Sequence, residues 1–261
     1  MRKVVATFSG SKYHEPTKRI VEDSPKFGAD DVWVFDDWWL QNHRPGYWDR
    51  VRAFRERPDV RGVDFFCFKP FVILDAFRRL QPGDVLLWLD ADTYPIASLL
   101  PLYEECRRNS GHMLFSAIGC VNRAWTKRDA FVAMGCDEPA YHDAQHAVAR
   151  FMLFEKGGAF PVERFLGEWL GFTANPFVNT FDPSVLGLPE LEGFKQNRCE
   201  QSVLTNLAVK YGVRLYREAC QFGADNPLDQ DLYPQTFIQD GRHSFDPAGA
   251  REGSSFRNIE D

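Results

Sequence analysis

The sequence predicts an α/β fold in which a mixed, mostly parallel β-sheet is flanked by helices. Short runs of β-branched and apolar residues end at polar residues, as at residues 4–8 and Val85–Leu89, which is typical of buried strands. Segments with helical periodicity lie between these runs. Val85–Leu89 is apolar throughout, which favours a strand covered on both faces, as in sheets with parallel strands.

The first elements are predicted to form a unit of strand, helix and strand. Residues 4–8 and 31–35 are the two strands, because each is a short β-branched run. Residues of about 15–27 have helical length and end near Gly28. A helix between two neighbouring strands indicates a parallel connection.

The next two elements lead to a pair of carboxylates. A helix is predicted from Pro70, because apolar side chains recur at three- and four-residue steps as far as Leu80. The strand Val85–Leu89 follows, and Asp90 and Asp92 come directly after it. Ligands of such sheets lie beyond the carboxyl ends of the strands, so this is the expected position of a site.

The rest of the chain is less regular, and we see no internal repeat or domain linker. The predicted elements are a helix over residues 98–109, a strand over 113–119, a short helix over 125–135, a helix over 162–172, a loop over about 173–197, a helix over 202–212 and a strand over 213–217. From Gln221 onward polar and turn residues dominate, and the end is predicted to be frayed.

Composition excludes some classes of protein. The chain has 261 residues, 44% of them hydrophobic, which is enough for one sizeable core. The net charge of −6 argues against nucleic acid as a partner, since such proteins carry a clustered Lys and Arg excess. No apolar run reaches the about 18 residues of a transmembrane segment, and no signal peptide is recognised. Six dispersed cysteines without a CxxC pair indicate reduced, buried thiols, so we expect a cytoplasmic protein.

Asp90 and Asp92 are candidate metal ligands. In an extended segment residues two apart point to the same side, so both carboxylates can reach one site. Mg²⁺ and Mn²⁺ bind through one or two carboxylates together with substrate phosphates, which suggests a cation on a diphosphate. The alternative is that one aspartate caps the turn that begins at Thr93. Either interpretation explains acidic residues after a buried strand.

Several blocks of sequence together resemble the GT-A glycosyltransferases, in particular the small bacterial and viral sugar transferases related to capsular polysaccharide and family-8-like enzymes. The blocks are FKPFVILDAF (68–77), GDVLLWLDAD (83–92), WTKRDAF (125–131), FLGEWL (165–170) and CEQSVLTNLAVKYG (199–212). They follow the family order over residues 1 to about 215. The resemblance implies a single GT-A domain over 1–261 with a Rossmann-like sheet.

This resemblance implies that the two halves of the chain bind different substrates. Residues of about 1–120 would hold the nucleotide sugar, and residues of about 121–245 the acceptor. Thr7 and Phe8 would lie near the base, and Asp36 near the nucleoside.

The resemblance also implies a donor site around the DxD motif. Asp90, Ala91 and Asp92 would bind the donor, with Mn²⁺ or Mg²⁺ held by the two aspartates on the diphosphate. Lys69 resembles the lysine of the family's W-K-P motif, although Phe68 replaces the tryptophan, and its charge would serve the nucleotide or diphosphate. The alternative for Lys69 is a solvated lysine at a helix start, where the helix dipole disfavours a cation.

Glu200 and Gln201 occupy the position where many relatives have Asp-Gln. Glu200 would act as a general base on the acceptor hydroxyl, which inverts the configuration at the sugar carbon. In retaining relatives the pair instead flanks the reacting carbon, and Gln201 would support the sugar. The alternative is that Glu200 only complements the dipole of its helix. His243 would be a further metal ligand, since GT-A enzymes often return a C-terminal histidine to the cation.

The acceptor side is predicted from aromatic and polar residues. His142 and Asp143 lie where relatives often build the acceptor pocket, and tryptophans such as Trp38 suit stacking on sugars, although core or rim packing explains any one of them as well. Lys127 is assigned no catalytic role.

The sequence thus predicts a metal-dependent glycosyltransferase that moves a sugar from a nucleoside diphosphate donor, a UDP-sugar, to a hydroxyl of a glycan or related acceptor. Without a predicted transmembrane segment, peripheral contact with a lipid-linked acceptor is still allowed. Two other classes stay open: a metal-dependent nucleotidyltransferase or phosphohydrolase, and a noncatalytic glycan-binding module. The sugar, linkage and stereochemistry depend on loops and are not predicted.

Overall fold

A six-stranded sheet forms the centre of the protein, whose computed structural model describes residues 1–10, 14–59 and 64–239. The strands within these residues are β1 (Lys3–Ser9), β2 (Asp31–Asp36), β3 (Val85–Leu89), β4 (Thr93–Pro95), β5 (His112–Val121), β6 (Gln145–Glu155), β7 (Leu215–Tyr216) and β8 (Phe237–Gln239). The order in the central sheet is β2-β1-β3-β6-β5-β7, and β4 pairs with β8 in a small second sheet.

The central sheet is mixed but mostly parallel. β1 pairs in parallel with β2 and β3, and β5 pairs in parallel with β7. β6 lies between β3 and β5 and is antiparallel to both. One strand therefore opposes the direction of the other five, and the predicted sheet type is confirmed.

Helices cover both faces of this sheet. They are α1 (His14–Asp23), α2 (Asp37–His43), α3 (Pro45–Arg55), α4 (Phe68–Arg78), α5 (Leu100–Arg108), α6 (Asn122–Trp125), α7 (Arg128–Ala133), α8 (Pro139–His142), α9 (Val162–Thr173) and α10 (Glu200–Lys210). None of the described helices is long and apolar enough to cross a bilayer.

The alternation of side chains in the strands divides the core into two layers. Leu86 and Trp88 of β3 pack with residues of α4, α9 and α10. Val85 and Leu87 point to the opposite face and pack with residues of α1 and α5. The uniformly apolar sequence of β3 is explained because both faces of the strand are buried.

Most predicted elements are confirmed, with three differences. The predicted helix over 125–135 is two short helices, α6 and α7, and the predicted strand over 213–217 is paired only at β7. The sequence did not predict α2, α3, α8, β4, β6 or β8. In β6, Arg150 interrupts the apolar pattern; it is partly buried, and Glu218, 3.1 Å away, compensates its charge.

The cysteines agree with expectation, since all six are buried thiols. The division into a donor half and an acceptor half stays a prediction. His243 and the predicted frayed end lie outside the described residues.

Two glycines with opposite surroundings provide a test of the packing. A Cβ atom at Gly158 would lie 2.8 Å from the Cα of Gly111 and 2.9 Å from the carbonyl oxygen of Ser110, whereas one at Gly167 in α9 would meet nothing within 4 Å. Gly158→Ala should therefore lower the free energy of unfolding by about 1–3 kcal/mol. Gly167→Ala should raise it by about 0.5–1 kcal/mol, because alanine is favoured inside helices. Urea unfolding measures both, and equal effects would contradict the described contact.

Candidate functional site

A cavity of about 150 Å³ lies beyond the carboxyl end of β3. Its charged lining consists of Lys69, Asp90, Arg150, Arg198 and Glu200. These side chains come from α4, the end of β3, β6 and the start of α10. The site thus lies where the fold class predicts it, at the carboxyl edge of the sheet.

Lys69 joins two carboxylates that are far apart in sequence. Its side chain is buried, and its Nζ lies 3.0 Å from Asp90 Oδ2 and 3.0 Å from Glu200 Oε1. It also donates to the carbonyl oxygen of Ala149, at 3.2 Å. The interpretation of Lys69 as a solvated lysine is therefore wrong.

Burial controls the protonation of this cluster. It raises the pKa of Glu200 to about 7, and the opposing attraction of Lys69 does not restore the ordinary value. Burial alone would lower the pKa of Lys69, but Asp90 and Glu200 raise it above its ordinary value. Lys69 is thus a permanent cation, whereas Glu200 exchanges its proton near neutral pH.

Glu200 is held by the start of α10. Cys199, directly before it, has a φ of 50°, which is unusual for a residue with a side chain and costs roughly 1–3 kcal/mol. Trp169 Nε1 donates to the carbonyl oxygen of Glu200 at 2.7 Å. These contacts fix the first turn of α10 against α9.

The two aspartates have different surroundings. Asp90 is about one-third exposed and accepts a hydrogen bond from Trp88 Nε1 at 2.9 Å. Asp92 is buried, and it accepts from the Thr93 hydroxyl at 3.2 Å and from Gln239 Nε2 at 3.1 Å. Burial, followed by the charge of Asp90, raises the pKa of Asp92. The contact with Thr93 shows that Asp92 also supports the turn that follows it.

Gln239 supplies an oxygen atom next to this pair. Its Nε2 faces the carboxylate of Asp92, so the amide orientation is set and Oε1 points elsewhere. That Oε1 is buried and meets no hydrogen-bond donor among the described residues. Two carboxylates and an amide oxygen are the donor types that Mg²⁺ and Mn²⁺ prefer. Within residues 1–10, 14–59 and 64–239 no group of three His, Cys, Asp or Glu side chains is placed to hold a metal.

Other residues predicted for the donor do not line this cavity. Thr7 is fully buried in β1, and Phe8 stacks on Phe68 with ring centroids 4.1 Å apart. Asp36 caps α2 by accepting the backbone N–H of Trp39 at 2.6 Å. Ala91 is buried between the two aspartates. The structure brings together Lys69, Asp90, Glu200 and Gln201, and these other roles stay predictions.

The predicted acceptor residues lie in different parts of the structure, His142 and Asp143 at α8 and Trp38 in α2. His142 bonds Asp137 at 2.8 Å, and Asp143 pairs with Arg123 at 2.7 Å. Trp38 is 64% exposed. Lys127 donates to the carbonyl oxygen of Asp182 at 3.0 Å, which agrees with a supporting role.

Sequence reasoning missed four polar residues of the cavity: His146, Arg150, Arg198 and Gln239. His146 and Arg150 lie in β6 and Gln239 in β8, two strands that were not predicted. Isolated polar residues in strands become informative only when burial is known, because most such residues are solvated.

Comparisons with known proteins define the fold. No protein-family model matches the chain, and no curated protein matches it in sequence. Among solved structures, the bifunctional glycosyltransferase WbbM in its apo form overlaps 92% of the chain at 12% identity, with a TM-score of 0.51. The chain spans 46% of the length of WbbM. Apo mouse xyloside xylosyltransferase 1 overlaps 92% of this chain and 98% of its own at 10% identity and a TM-score of 0.47, which is too low to define a shared fold.

The overlap with WbbM shows that the chain has a GT-A-like glycosyltransferase fold. The predicted fold class is thereby confirmed, whereas assignment to a family-8-like group and the role of the DxD motif stay predictions.

The Lys69 cluster provides a test of stability. Lys69→Met should lower the free energy of unfolding by about 3–5 kcal/mol at pH 7, because Asp90 and Glu200 lose their shared buried cation. Adding Glu200→Gln should recover part of that loss, since one uncompensated carboxylate is removed.

Lys210 is the matched control, since it pairs with Glu168 at 2.6 Å near the surface. Lys210→Met should cost about 1 kcal/mol or less. If urea unfolding gives the same small loss for both lysines, the buried bridge is not the stabilising contact described.

Proposed function

We propose that this protein is a glycosyltransferase that takes a sugar from a nucleoside diphosphate donor and transfers it to a hydroxyl of a glycan or related acceptor. The observation that supports this most is the convergence of Asp90, Lys69 and Glu200 in one cavity at the carboxyl edge of the central sheet. WbbM, whose fold the chain shares, is named as a glycosyltransferase.

The charge of the cavity suits an anionic donor. Three cations, Lys69, Arg150 and Arg198, line it together with two carboxylates, Asp90 and Glu200. These five side chains sum to +1 with Glu200 ionised and to +2 with Glu200 protonated, and Glu218, which pairs with Arg150, lies outside the lining. Partly buried cations around a small cavity attract phosphate groups more strongly than surface lysines do, because solvent screens them less. The diphosphate of a nucleoside diphosphate sugar carries the negative charge that such a lining attracts.

In this proposal a divalent cation binds beside the two aspartates. Asp90 and Asp92 would hold Mn²⁺ or Mg²⁺ through carboxylate oxygens, and His243 stays a predicted ligand outside the described residues. When bound, the ion would neutralise negative charge on the departing diphosphate. In this proposal Asp90 faces the ligand, and Asp92 is oriented from behind by Thr93 and Gln239.

Glu200 is the proposed general base. A carboxylate with a pKa of about 7 is suited to remove a proton from an acceptor hydroxyl at neutral pH. In that role the configuration at the sugar carbon is inverted. Gln201 lines the same cavity and is proposed to contact the sugar, a role that also suits a retaining reaction.

Calorimetric titration of nucleotides and nucleotide sugars tests the donor class. One nucleoside diphosphate should bind with Mn²⁺, and chelation of the metal should weaken binding at least about tenfold, which equals about 1.4 kcal/mol. Asp92→Asn should remove this dependence on metal.

Asp30→Asn is the control for that variant, because Asp30 pairs with Lys3 far from the cavity, at the start of β1. Binding should be unchanged in the control. If no member of the panel shows metal-linked binding, Asp90 and Asp92 are structural and a glycan-binding module is favoured. Release of phosphate or pyrophosphate without sugar transfer would identify a phosphohydrolase or nucleotidyltransferase instead.

The pH profile of transfer tests Glu200. The base must be deprotonated, so kcat/KM should rise as the pH increases and level off above about 7, the pKa of Glu200. Glu200→Gln should lower kcat by a factor of about 10²–10⁴ and abolish that rise.

The matched control is Glu163→Gln, a surface carboxylate of α9 that pairs with Lys156. This control should keep the wild-type profile. Full activity of Glu200→Gln, with an unchanged profile, would assign the base to another group.

A further inference from the structure

His146 is a buried histidine that faces the cavity and has no assigned role. It lies near the start of β6 and is 1% exposed. Its Nδ1 is 2.6 Å from the hydroxyl oxygen of Thr205 in α10. Its Nε2 is also buried and has no hydrogen-bond partner among the described residues, although the residue lines the cavity.

The contacts of Thr205 determine which nitrogen of His146 carries the proton. The Thr205 hydroxyl has one proton to donate, and the carbonyl oxygen of Gln201 accepts it at 2.9 Å. The hydroxyl oxygen accepts from the backbone N–H of Ala147 at 3.0 Å. With that proton on the bond to Gln201, the 2.6 Å contact is a hydrogen bond only if His146 Nδ1 is the donor.

If the ring is neutral and its proton is on Nδ1, Nε2 is unprotonated. Burial, followed by the charge of Arg198, lowers the pKa of His146 to about 3, so the ring is neutral at physiological pH. In this neutral tautomer Nε2 is a hydrogen-bond acceptor. A buried acceptor without a donor costs roughly 1–3 kcal/mol, which a ligand with a suitable donor would recover.

The chemistry of the ligand group follows from this. Phosphate oxygens are acceptors at neutral pH and do not match a second acceptor. A metal ion is also unsuited, because His146 is not grouped with two acidic, histidine or cysteine side chains among the described residues. A neutral hydroxyl, the commonest group on a sugar, donates the hydrogen bond that Nε2 lacks.

We propose that His146 Nε2 accepts a hydrogen bond from a hydroxyl of a sugar bound in the cavity, and that His146 thereby selects for that hydroxyl. This inference rests on the proposed function, since it takes the ligand to be a sugar nucleotide or its acceptor. The backbone N–H of Ala147 and α10 hold Thr205 in place, so the acceptor is fixed before the ligand binds.

The test is nuclear magnetic resonance of the full chain with ¹⁵N-labelled histidine and Mg²⁺, with calorimetry on the same samples. Spectra that correlate the ring nitrogens with the protons on the ring carbons distinguish a protonated nitrogen from an unprotonated one. Loss of one signal set in His146→Gln assigns the residue among the six histidines. The free protein should show Nδ1 protonated and Nε2 bare.

Three additions distinguish the sources of the hydroxyl. UDP alone should leave the Nε2 resonance in place. UDP-glucose or UDP-galactose should move it if the hydroxyl belongs to the donor sugar; UDP together with methyl glycosides of the same sugars should move it if the hydroxyl belongs to the acceptor. Either movement supports the inference.

Calorimetry supplies a second measurement with variants. His146→Phe, which removes the acceptor, should weaken binding of the sugar-bearing ligand about tenfold and leave binding of UDP unchanged. His146→Gln retains an acceptor oxygen and should lose less. Equal weakening of UDP and of its sugar derivatives would indicate a structural role only.

The opposing outcomes separate this inference from the proposed function. Three results would overturn the role of His146 while the glycosyltransferase proposal stands. They are a proton on Nε2, an Nε2 resonance that moves fully with UDP alone, and a bound sugar that leaves this resonance unmoved. Failure of every nucleotide and nucleotide sugar to bind would overturn the proposed function, and this inference with it.

Discussion

The site depends on one buried ammonium group. Lys69 lies in the first turn of α4, where the helix dipole disfavours a cation, and it is 3% exposed, so it is stable there only beside negative charge. Asp90 and Glu200 supply that charge from the end of β3 and the start of α10. Removing Lys69 leaves two carboxylates without their shared cation in a low-dielectric environment, whereas removing one carboxylate leaves Lys69 paired with the other. The positions of α4, β3 and α10 are therefore coupled by electrostatics as well as by apolar packing.

The reversed strand β6 builds the wall that faces this cluster. The carbonyl oxygen of Ala149 accepts a third hydrogen bond from Lys69, and Arg150, the next residue, adds a cation that Glu218 holds in place. His146 lies four residues earlier on the same strand. Because β6 lies between β3 and β5, these groups are carried by the rigid centre of the sheet. Such a location favours precise hydrogen bonding over adaptability.

Local patterns in the sequence were sufficient for part of this structure. The apolar run of β3 and the periodicity of α4 and α10 predicted their elements, and Asp90, Lys69 and Glu200 were each named as site residues. Their contact was not predictable from spacing, because Lys69 and Glu200 are 131 positions apart. β6 was missed since its buried Arg150 and His146 look polar until their partners, Glu218 and Thr205, are seen. Thr7 and Asp36 were named by resemblance, and the structure places them in the core and in a helix cap.

The sharing of Lys69 between two carboxylates connects donor binding with the base. Burial raises the pKa of Glu200, the attraction of the shared Lys69 lowers it without offsetting the burial, and the charge of Asp90 adds to the rise. Asp90 is about one-third exposed, so it is the member of the pair that a positively charged partner from solution can reach. If Asp90 takes such a partner, Lys69 is left to Glu200 alone, and the charge of Asp90, which raises the pKa of Glu200, is compensated. The pKa of Glu200 then falls, so in the proposed mechanism a larger fraction of the base is deprotonated at neutral pH when the donor side is filled.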